Sequence, residues 1–589
     1  MRIINLYYLL MVIAVLLLGS CSDLLDPVND NHATFDRVYE SPAFAEGLLM
    51  NAYIWLPTTG GFSFNDVATD DAVSNDKFNG YLRMATGQWS AQYNPVSLWN
   101  RANEVILYLN LFIPQIDTIT WRWDNKDINS MFKARLRGEA YALRGLFRYY
   151  LLQNVAGKST GGELLGITLF DEFQQADANF NLPRATFTES VNAINADFDK
   201  AMQFLPMDFQ NITAAAQLPP VFSTVNITDY NTVFGIVSNQ RITKRIVMGL
   251  KARVALLAAS PAFNANNDQA LWAQAADAAA GVLAGINGIT GLDPFGHIFF
   301  QAARVNAVSI TADQKEMLWR GRSNVLSNTL EKRMLPPGLN GNGEVNPTQN
   351  LVDAFPMKNG YPISDAASTY DPANPYANRD PRLDLYVVHT GSNLQGKIIK
   401  TGAGGGVNAK DSILTSTRTG YYLRKLVRED IIFDASGSAP TRKHYAVHMR
   451  YTELFLDYAE AANEAWGPTG VGTIAFYSAK DVIAAIRKRA GITQPDAYLN
   501  SITTREAMRD LIRNERRLEL CFEGFRFWDM RRWGLPLNMA AKGVNIDINA
   551  TSFQYVDVEP RVYQPYMQYA PLPMQEVLKF PALLQNAGW

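Results

Sequence analysis

Apolar residues recur at spacings of three and four along several stretches, and this period predicts a mostly α chain. Leu143, Leu146, Phe147, Tyr150 and Leu151 form one stripe, on a helix expected over 135–153. Val247, Leu250, Val254, Leu257 and Ala258 form a second, which Ser260-Pro261 should stop, because proline cannot continue a helix. Tyr451, Leu454, Phe455, Tyr458, Ala459 and Ala462 form a third, closed by Gly467-Pro468. A fourth helix is expected over 504–528, with Leu511, Leu518, Cys521, Phe522 and Phe525 on one side. Small residues beside these stripes (Ala140, Ala142, Ala252, Ala255, Ala459, Ala462) suit tetratricopeptide-like helix pairs, although no strict repeat of ~34 residues is visible. Stretches rich in Gly, Asn, Pro and Ser intervene, notably 336–350 and 370–381, and loops of that length tend to be functional. Composition shifts nowhere abruptly. The expectation is one intertwined body, with an N-terminal region over 21–310 and a C-terminal region over 311–589 packed on it.

The first residues follow a different pattern. Arg2 precedes an apolar run over 6–18, too short for a membrane span of roughly 20 residues. A basic start, a short apolar run and small residues mark a secretory signal over 1–20. Leu18-Gly19-Ser20-Cys21 resembles a bacterial lipobox, which implies cleavage before Cys21 and acylation of that cysteine. Ser22-Asp23-Leu24-Leu25-Asp26 is similar to the acidic surface-export signal of Bacteroidetes lipoproteins. The mature protein is then expected to be anchored to a membrane without crossing it.

Composition removes several function classes. Of 589 residues, 54 are Lys or Arg and 56 are Asp or Glu, a net charge of -2. Such a chain lacks the electrostatic footprint of a nucleic-acid binder. The two cysteines, Cys21 and Cys521, cannot supply a disulfide framework if one is acylated. Cys521 lies in an apolar helical context, as a small buried hydrophobe does. Aromatics make up 11% of the chain, and flat rings both fill cores and stack on ligands.

Catalytic patterns are thin. Six arginines and four acidic residues crowd 513–532, and Arg516/Glu519, Glu523/Arg526 and Arg526/Asp529 are each three apart. That spacing puts opposite charges on one helix face and predicts structural pairs along the helix. Acids paired in this way have lowered pKa values and do not serve as general acids, so a glycosidase is disfavoured. His444 and His448 are four apart, but Tyr445 stands where a zincin has Glu, so no metal is expected. The Gly402–Gly406 run lacks the Lys-Ser/Thr of a phosphate loop, and no cofactor is expected. Ligand binding is better served by 62–93, which mixes rings with hydrogen-bonding side chains: Phe62, Phe64, Asn65, Asp70, Asp71, Tyr81, Trp89 and Tyr93. Trp121 and Trp123 form a second candidate pair.

The longest unusual string is Arg516-Arg517-Leu518-Glu519-Leu520-Cys521-Phe522-Glu523-Gly524-Phe525-Arg526-Phe527-Trp528-Asp529-Met530-Arg531-Arg532-Trp533-Gly534. It resembles the C-terminal signature of the SusD/RagB family. Other strings agree in order: Glu139 to Gly145, Leu250 to Val254, Pro347 to Phe355, Asn378-Arg379-Asp380-Pro381-Arg382-Leu383, and Arg450 to Ala461. The chain ends Gln585-Asn586-Ala587-Gly588-Trp589 where relatives read Gln-Asn-Pro-Gly-Tyr, a mild departure at Ala587 and Trp589. The resemblance implies tetratricopeptide-like helix pairs with loop-rich irregular insertions. It also implies a non-enzymatic lipoprotein on the outer face of the cell outer membrane, capturing an oligosaccharide or a peptide for a SusC-like TonB-dependent transporter. A helical scaffold without ligand contact is the alternative.

Overall fold

The computed structural model describes residues 41–57, 63–321 and 325–589. Cys21 and Phe62 lie outside the described residues. Helices α1 (Pro42–Ile54), α2 (Trp99–Gln115), α3 (Lys126–Val155), α4 (Phe187–Phe204), α5 (Lys244–Ala259) and α6 (Gln269–Ala284) come from the first half. The second half supplies α7 (Tyr451–Trp466), α8 (Ala479–Ala490), α9 (Arg505–Leu520) and α10 (Arg526–Arg532). Packing follows chain order: α2 on α3, α3 on α4, α4 on α5, α5 on α6, α6 on α7, and α7 on both α8 and α9. Each amphipathic face is thus buried by the next helix, which gives the mostly α fold that the periodicity predicts.

Local chemistry sets the helix ends. Asn125 caps α3, its Oδ1 accepting from the backbone N–H groups of Asp127 and Ile128 at 3.0 Å each, so the helix starts nine residues before the expected 135. Helix α5 stops before Ser260-Pro261, and α7 stops at Gly467, whose φ of 82° suits glycine. The fourth helix departs from expectation. It is broken into α9 and α10 by a turn in which Phe522 has φ 63° and Gly524 has φ 85°. The first half of the chain supplies the partners that a continuing helix would have used. The N–H of Phe522 donates to Asp66 Oδ1 at 3.0 Å, and Asn65 Nδ2 donates to the carbonyl of Gly524 at 3.3 Å.

The strands are short antiparallel pairs. Strand β1 (Ala72–Ser74) pairs with β3 (Val345–Pro347), Val73 opposite Asn346. Strand β2 (Met317–Arg320) pairs with β4 (Val447–Arg450), which runs directly into α7. A hairpin of β5 (Ala541–Ile546) and β6 (Phe553–Glu559) covers the loop-rich region. One apolar core runs along the helices from Ala45 to Leu583, and a second lies beneath the irregular segments around Leu351, Tyr386, Tyr422 and Phe522.

The break in the signature segment also changes its ion pairs. Partners three apart on one helix were expected, but most pairs reach other elements. Arg516 donates to Asp457 on α7 (2.6 Å) and to Asp529 (2.7 Å). Glu523 accepts from Arg450 (2.8 Å) and Lys425 (2.7 Å), while Arg526 donates to Asp70 (3.0 Å). Buried Glu519 accepts from Arg489 (2.7 Å) and Arg382 (3.0 Å), with Arg450 at 3.4 Å. Only Arg532–Asp529, at 2.9 Å, keeps the expected one-turn geometry among the described pairs of this segment.

Candidate functional site

A cavity of about 1270 Å³ opens where the two halves meet. Its wall is built from the end of α1 (Trp55), the first turns of α2 (Trp99, Arg101, Glu104), the aromatic pair Tyr149-Tyr150 on α3, and Arg253 on α5. Strand β4, the start of α7 (Glu453, Asp457), the broken signature segment (Arg516, Glu523, Trp528) and residues 573–578 close it. The cavity exists because α9 does not continue: the turn at 521–525 and α10 swing Trp528 to the wall.

Two kinds of surface line it. Trp55, Tyr81, Trp99, Tyr150 and Trp528 are half-buried rings. Trp55 carries the Arg101 guanidinium 4.9 Å from its ring centre, and the Tyr81 hydroxyl lies 2.9 Å from Ser63 Oγ. The interior is charged but paired. Arg253 grips Glu453 through Nε (2.5 Å) and Nη2 (2.6 Å), and also donates to the His448 carbonyl (2.7 Å). Arg532 grips Glu460 in the same two-pronged way at 2.6 and 2.7 Å. Burial pushes the Glu460 carboxyl up, but Arg532 outweighs it and holds the group at about 2. Asp457 differs. Its Oδ1 accepts from Arg516, its Oδ2 has no hydrogen-bond partner among the described residues, and burial raises its pKa against the pull of Arg516. Burial, reinforced by Arg253, lowers His448 to about 3, so its ring is neutral.

The 62–93 candidates divide. Asn65 and Tyr81 reach the cavity wall. Phe64 is 4% exposed and belongs to the core beneath the loops. Trp89, 6% exposed, packs edge-on against Phe527 (5.9 Å) and Trp589 (5.1 Å) and donates from Nε1 to Asn94 Oδ1 at 3.1 Å. Asp70 and Asp71 are buried against Arg517 and Arg526. Burial pushes both carboxyls up. At Asp70 the two arginines win and lower it, while at Asp71 burial and the Asp70 charge win and raise it. Tyr93 is half-buried beneath Arg83, 4.8 Å from its ring centre. The expectation of ligand-facing rings at Phe64 and Trp89 and a ligand-facing carboxylate at Asp71 is therefore corrected: these side chains are consumed by packing and by arginines from the signature segment. Trp121 packs on Phe112 at 6.2 Å, whereas Trp123 is 91% exposed on the loop before α3.

Trp55, Trp99, Tyr150 and Trp528 are the wall residues that the sequence left aside. Tyr150 sits in the third-turn position of a core stripe and Trp528 in the signature string, where burial was the ordinary reading. Trp99 alone carried a signal, standing at the seam between the loop-like stretch and a helix. His444 and His448 lie on separate strands with separate partners: His444 meets Glu331 at 3.1 Å, and the His448 ring packs at a tilt against Trp319, 4.6 Å between centres. No cluster of three metal-ligating side chains occurs among the described residues. Burial pushes the Cys521 thiol up to about 12, out of range for a nucleophile.

Comparison with known proteins places the chain. Residues 305–589 match the model of the SusD family, and residues 28–218 match a second model described as starch-binding and associating with the outer membrane. A SusD-like protein of Formosa agariphila is 28% identical over 138 residues, and that match spans 23% of either chain. Among solved structures, a SusD-like protein of Bacteroides fragilis superposes with a TM-score of 0.68 at 21% identity, covering 95% of this chain and all of that one. A SusD-like carbohydrate binding protein of the same organism gives 0.67 at 21%, covering 93% of this chain and 100% of that one. Surface glycan-binding protein A of Bacteroides fluxus gives 0.56 at 17%, with the same coverage. The signature segment that breaks into α9 and α10, the strings that meet it at Arg382 and Arg450, and these matches lead to one conclusion: the chain belongs to the SusD/RagB family.

Proposed function

We propose that this protein is an outer-membrane lipoprotein, anchored through Cys21 and facing the exterior, that binds an oligosaccharide and hands it to a SusC-like TonB-dependent transporter. The observation that carries the reading is the cavity of about 1270 Å³ with half-buried tryptophan and tyrosine rings on its wall. Stacking rings beside polar groups is how proteins hold sugars, whose faces are apolar and whose edges are hydroxyls. The names of two structural neighbours, a carbohydrate binding protein and a surface glycan-binding protein, support the ligand class. Binding is without chemistry in this reading, because the interior carboxylates Glu453 and Glu523 are clamped, the first by Arg253 and the second by Arg450 and Lys425, and so are poorly suited to act as general acids.

Calorimetry of the mature protein against glycan and peptide panels tests this, with chromatography of the ligand afterwards. Trp99→Ala and Tyr150→Ala should each weaken oligosaccharide binding by about fivefold or more, the loss of ~1 kcal/mol of stacking per ring. Cleaved ligand would exclude pure binding, and binding of peptides alone would exclude the glycan. Cys21→Ser should release the protein from membranes; continued fractionation with outer membrane and incorporation of labelled fatty acid would refute the anchor.

A further inference from the structure

Helix α3 brings three polar side chains to the cavity wall: Tyr149, Tyr150 and Gln153. Gln153 Nε2 donates to the Tyr149 hydroxyl at 3.3 Å, which orients the amide and leaves Oε1 without a donor among the described residues. The Tyr150 hydroxyl has no hydrogen-bond partner among the described residues either. Neither atom is sealed from solvent, both side chains are half-buried, and both line the cavity. The Tyr150 ring is held edge-on to Phe147 at 5.8 Å and tilted against Tyr149 at 5.9 Å. Arg253 and Glu453 stand nearby but grip each other at 2.5 and 2.6 Å and take no bond from the phenol. Burial pushes that phenol up to about 12, so it keeps its proton at neutral pH and remains a donor. A polar group drawn out of bulk water without a partner is costly, and a ligand oxygen relieves that cost.

Positions 150 and 153 are three apart, so the open donor and the open acceptor share one helix face, with Cβ atoms about 5–6 Å apart. Adjacent hydroxyls on a sugar ring offer the complementary pair: one oxygen accepts while its neighbour donates. Resting on the glycan-binding reading, we infer that Tyr150 and Gln153 select oligosaccharides by a vicinal diol, Tyr150 Oη donating to one ligand oxygen and Gln153 Oε1 accepting from the hydroxyl on the next carbon. The ligand class follows from linkage. Internal units of (1→4)- and (1→6)-linked hexose chains keep two free hydroxyls on adjacent carbons, whereas internal units of (1→3)-linked chains keep none. A chain without the diol leaves the phenol and the amide unpaired, and a site built around hydrogen bonds discriminates strongly against a ligand that cannot make them.

The test uses the full mature protein, calorimetry, and gluco-, galacto- and xylo-oligosaccharides of matched length in (1→4) and (1→3) linkage. The tightest (1→4)-linked probe should bind at least about tenfold more tightly than the (1→3)-linked chain of the same sugar. Tyr150→Phe keeps the ring and removes only the hydroxyl. It should weaken the (1→4)-linked probe by about threefold to tenfold, leave the (1→3)-linked one unchanged, and keep the melting temperature of the unmodified protein. Gln153→Met should shrink the linkage preference in the same way; if it lowers stability, the Tyr150→Phe pair of measurements still decides. Equal or tighter binding of (1→3)-linked chains overturns the diol and leaves glycan binding standing. Tyr150→Phe binding the (1→4)-linked probe as tightly as the unmodified protein overturns the role of that hydroxyl. Silence of every glycan probe, with peptides binding, overturns the glycan reading itself.

Discussion

Glu519 gathers Arg489, Arg382 and Arg450 within 3.4 Å in a site closed to solvent. Burial pushes its carboxyl up, but the three guanidiniums outweigh burial and hold it well below the usual carboxylate range. Replacing it by Gln leaves uncompensated buried cations, and Glu519→Gln should cost ~3–5 kcal/mol in chemical denaturation. Asp66 behaves oppositely. Burial, with the Asp71 charge beside it, lifts its carboxyl to about 7, and Oδ2 has no partner among the described residues. A carboxyl raised in the folded state binds its proton more tightly there than in the unfolded chain, so its contribution is full below about 4 and is lost as pH rises towards 7. Asp66→Asn cannot ionise, and it should flatten the fall in melting temperature between those two pH values. A variant with the wild-type slope would assign that pH dependence to other groups. Trp89 belongs with these structural residues: Trp89→Ala should lower stability by ~3–5 kcal/mol, the cost of removing a ring packed between Phe527 and Trp589.

At the scale of elements, α3 and α4 show how sequence encodes close packing. Gly138 and Gly145 are seven apart on one face of α3, and a Cβ at either would lie 2.7 Å from Leu205 or Phe198. Arg144 and Arg148 on the same helix both donate to Asp197 of α4, at 2.6 and 2.8 Å. Gly145→Ala should therefore destabilise by ~1–3 kcal/mol through overpacking, seen as a lower denaturation midpoint. These helices were legible because apolar period, caps and breakers all act within a few residues. Helix α7 ended at the glycine and α5 at the proline that the pattern named. The split between α9 and α10 was not legible, because the groups that end α9, Asn65 and Asp66, lie more than 450 positions away. The candidate site shared that difficulty. Tyr81 and Asn65 reached the cavity, but nothing local tells Trp89, which packs inward, from Trp99, which lines the wall. That distinction is made by the partner each ring meets from the other half of the chain.

The whole molecule is closed by such distant partners. Strand β1 takes β3, Asp70 takes Arg526, and Asp71 takes Arg517, the last two across 456 and 446 positions. A fragment ending at 321 would keep α1 to α6 but leave Asp66, Asp70 and Asp71 without the cations and the Phe522 N–H that make their burial tolerable. Limited proteolysis should find that fragment cleaved throughout 63–100 while the intact protein resists. The same separation governs the order of folding. Closing a loop of more than 400 residues is slow, and the reward for closing it arrives only when the signature segment is present. Asp70 and Asp71 meet their cations only once Arg517 and Arg526 exist, so the first half of the body is a lock cut before its key: its final packing waits on residues near the far end of the chain.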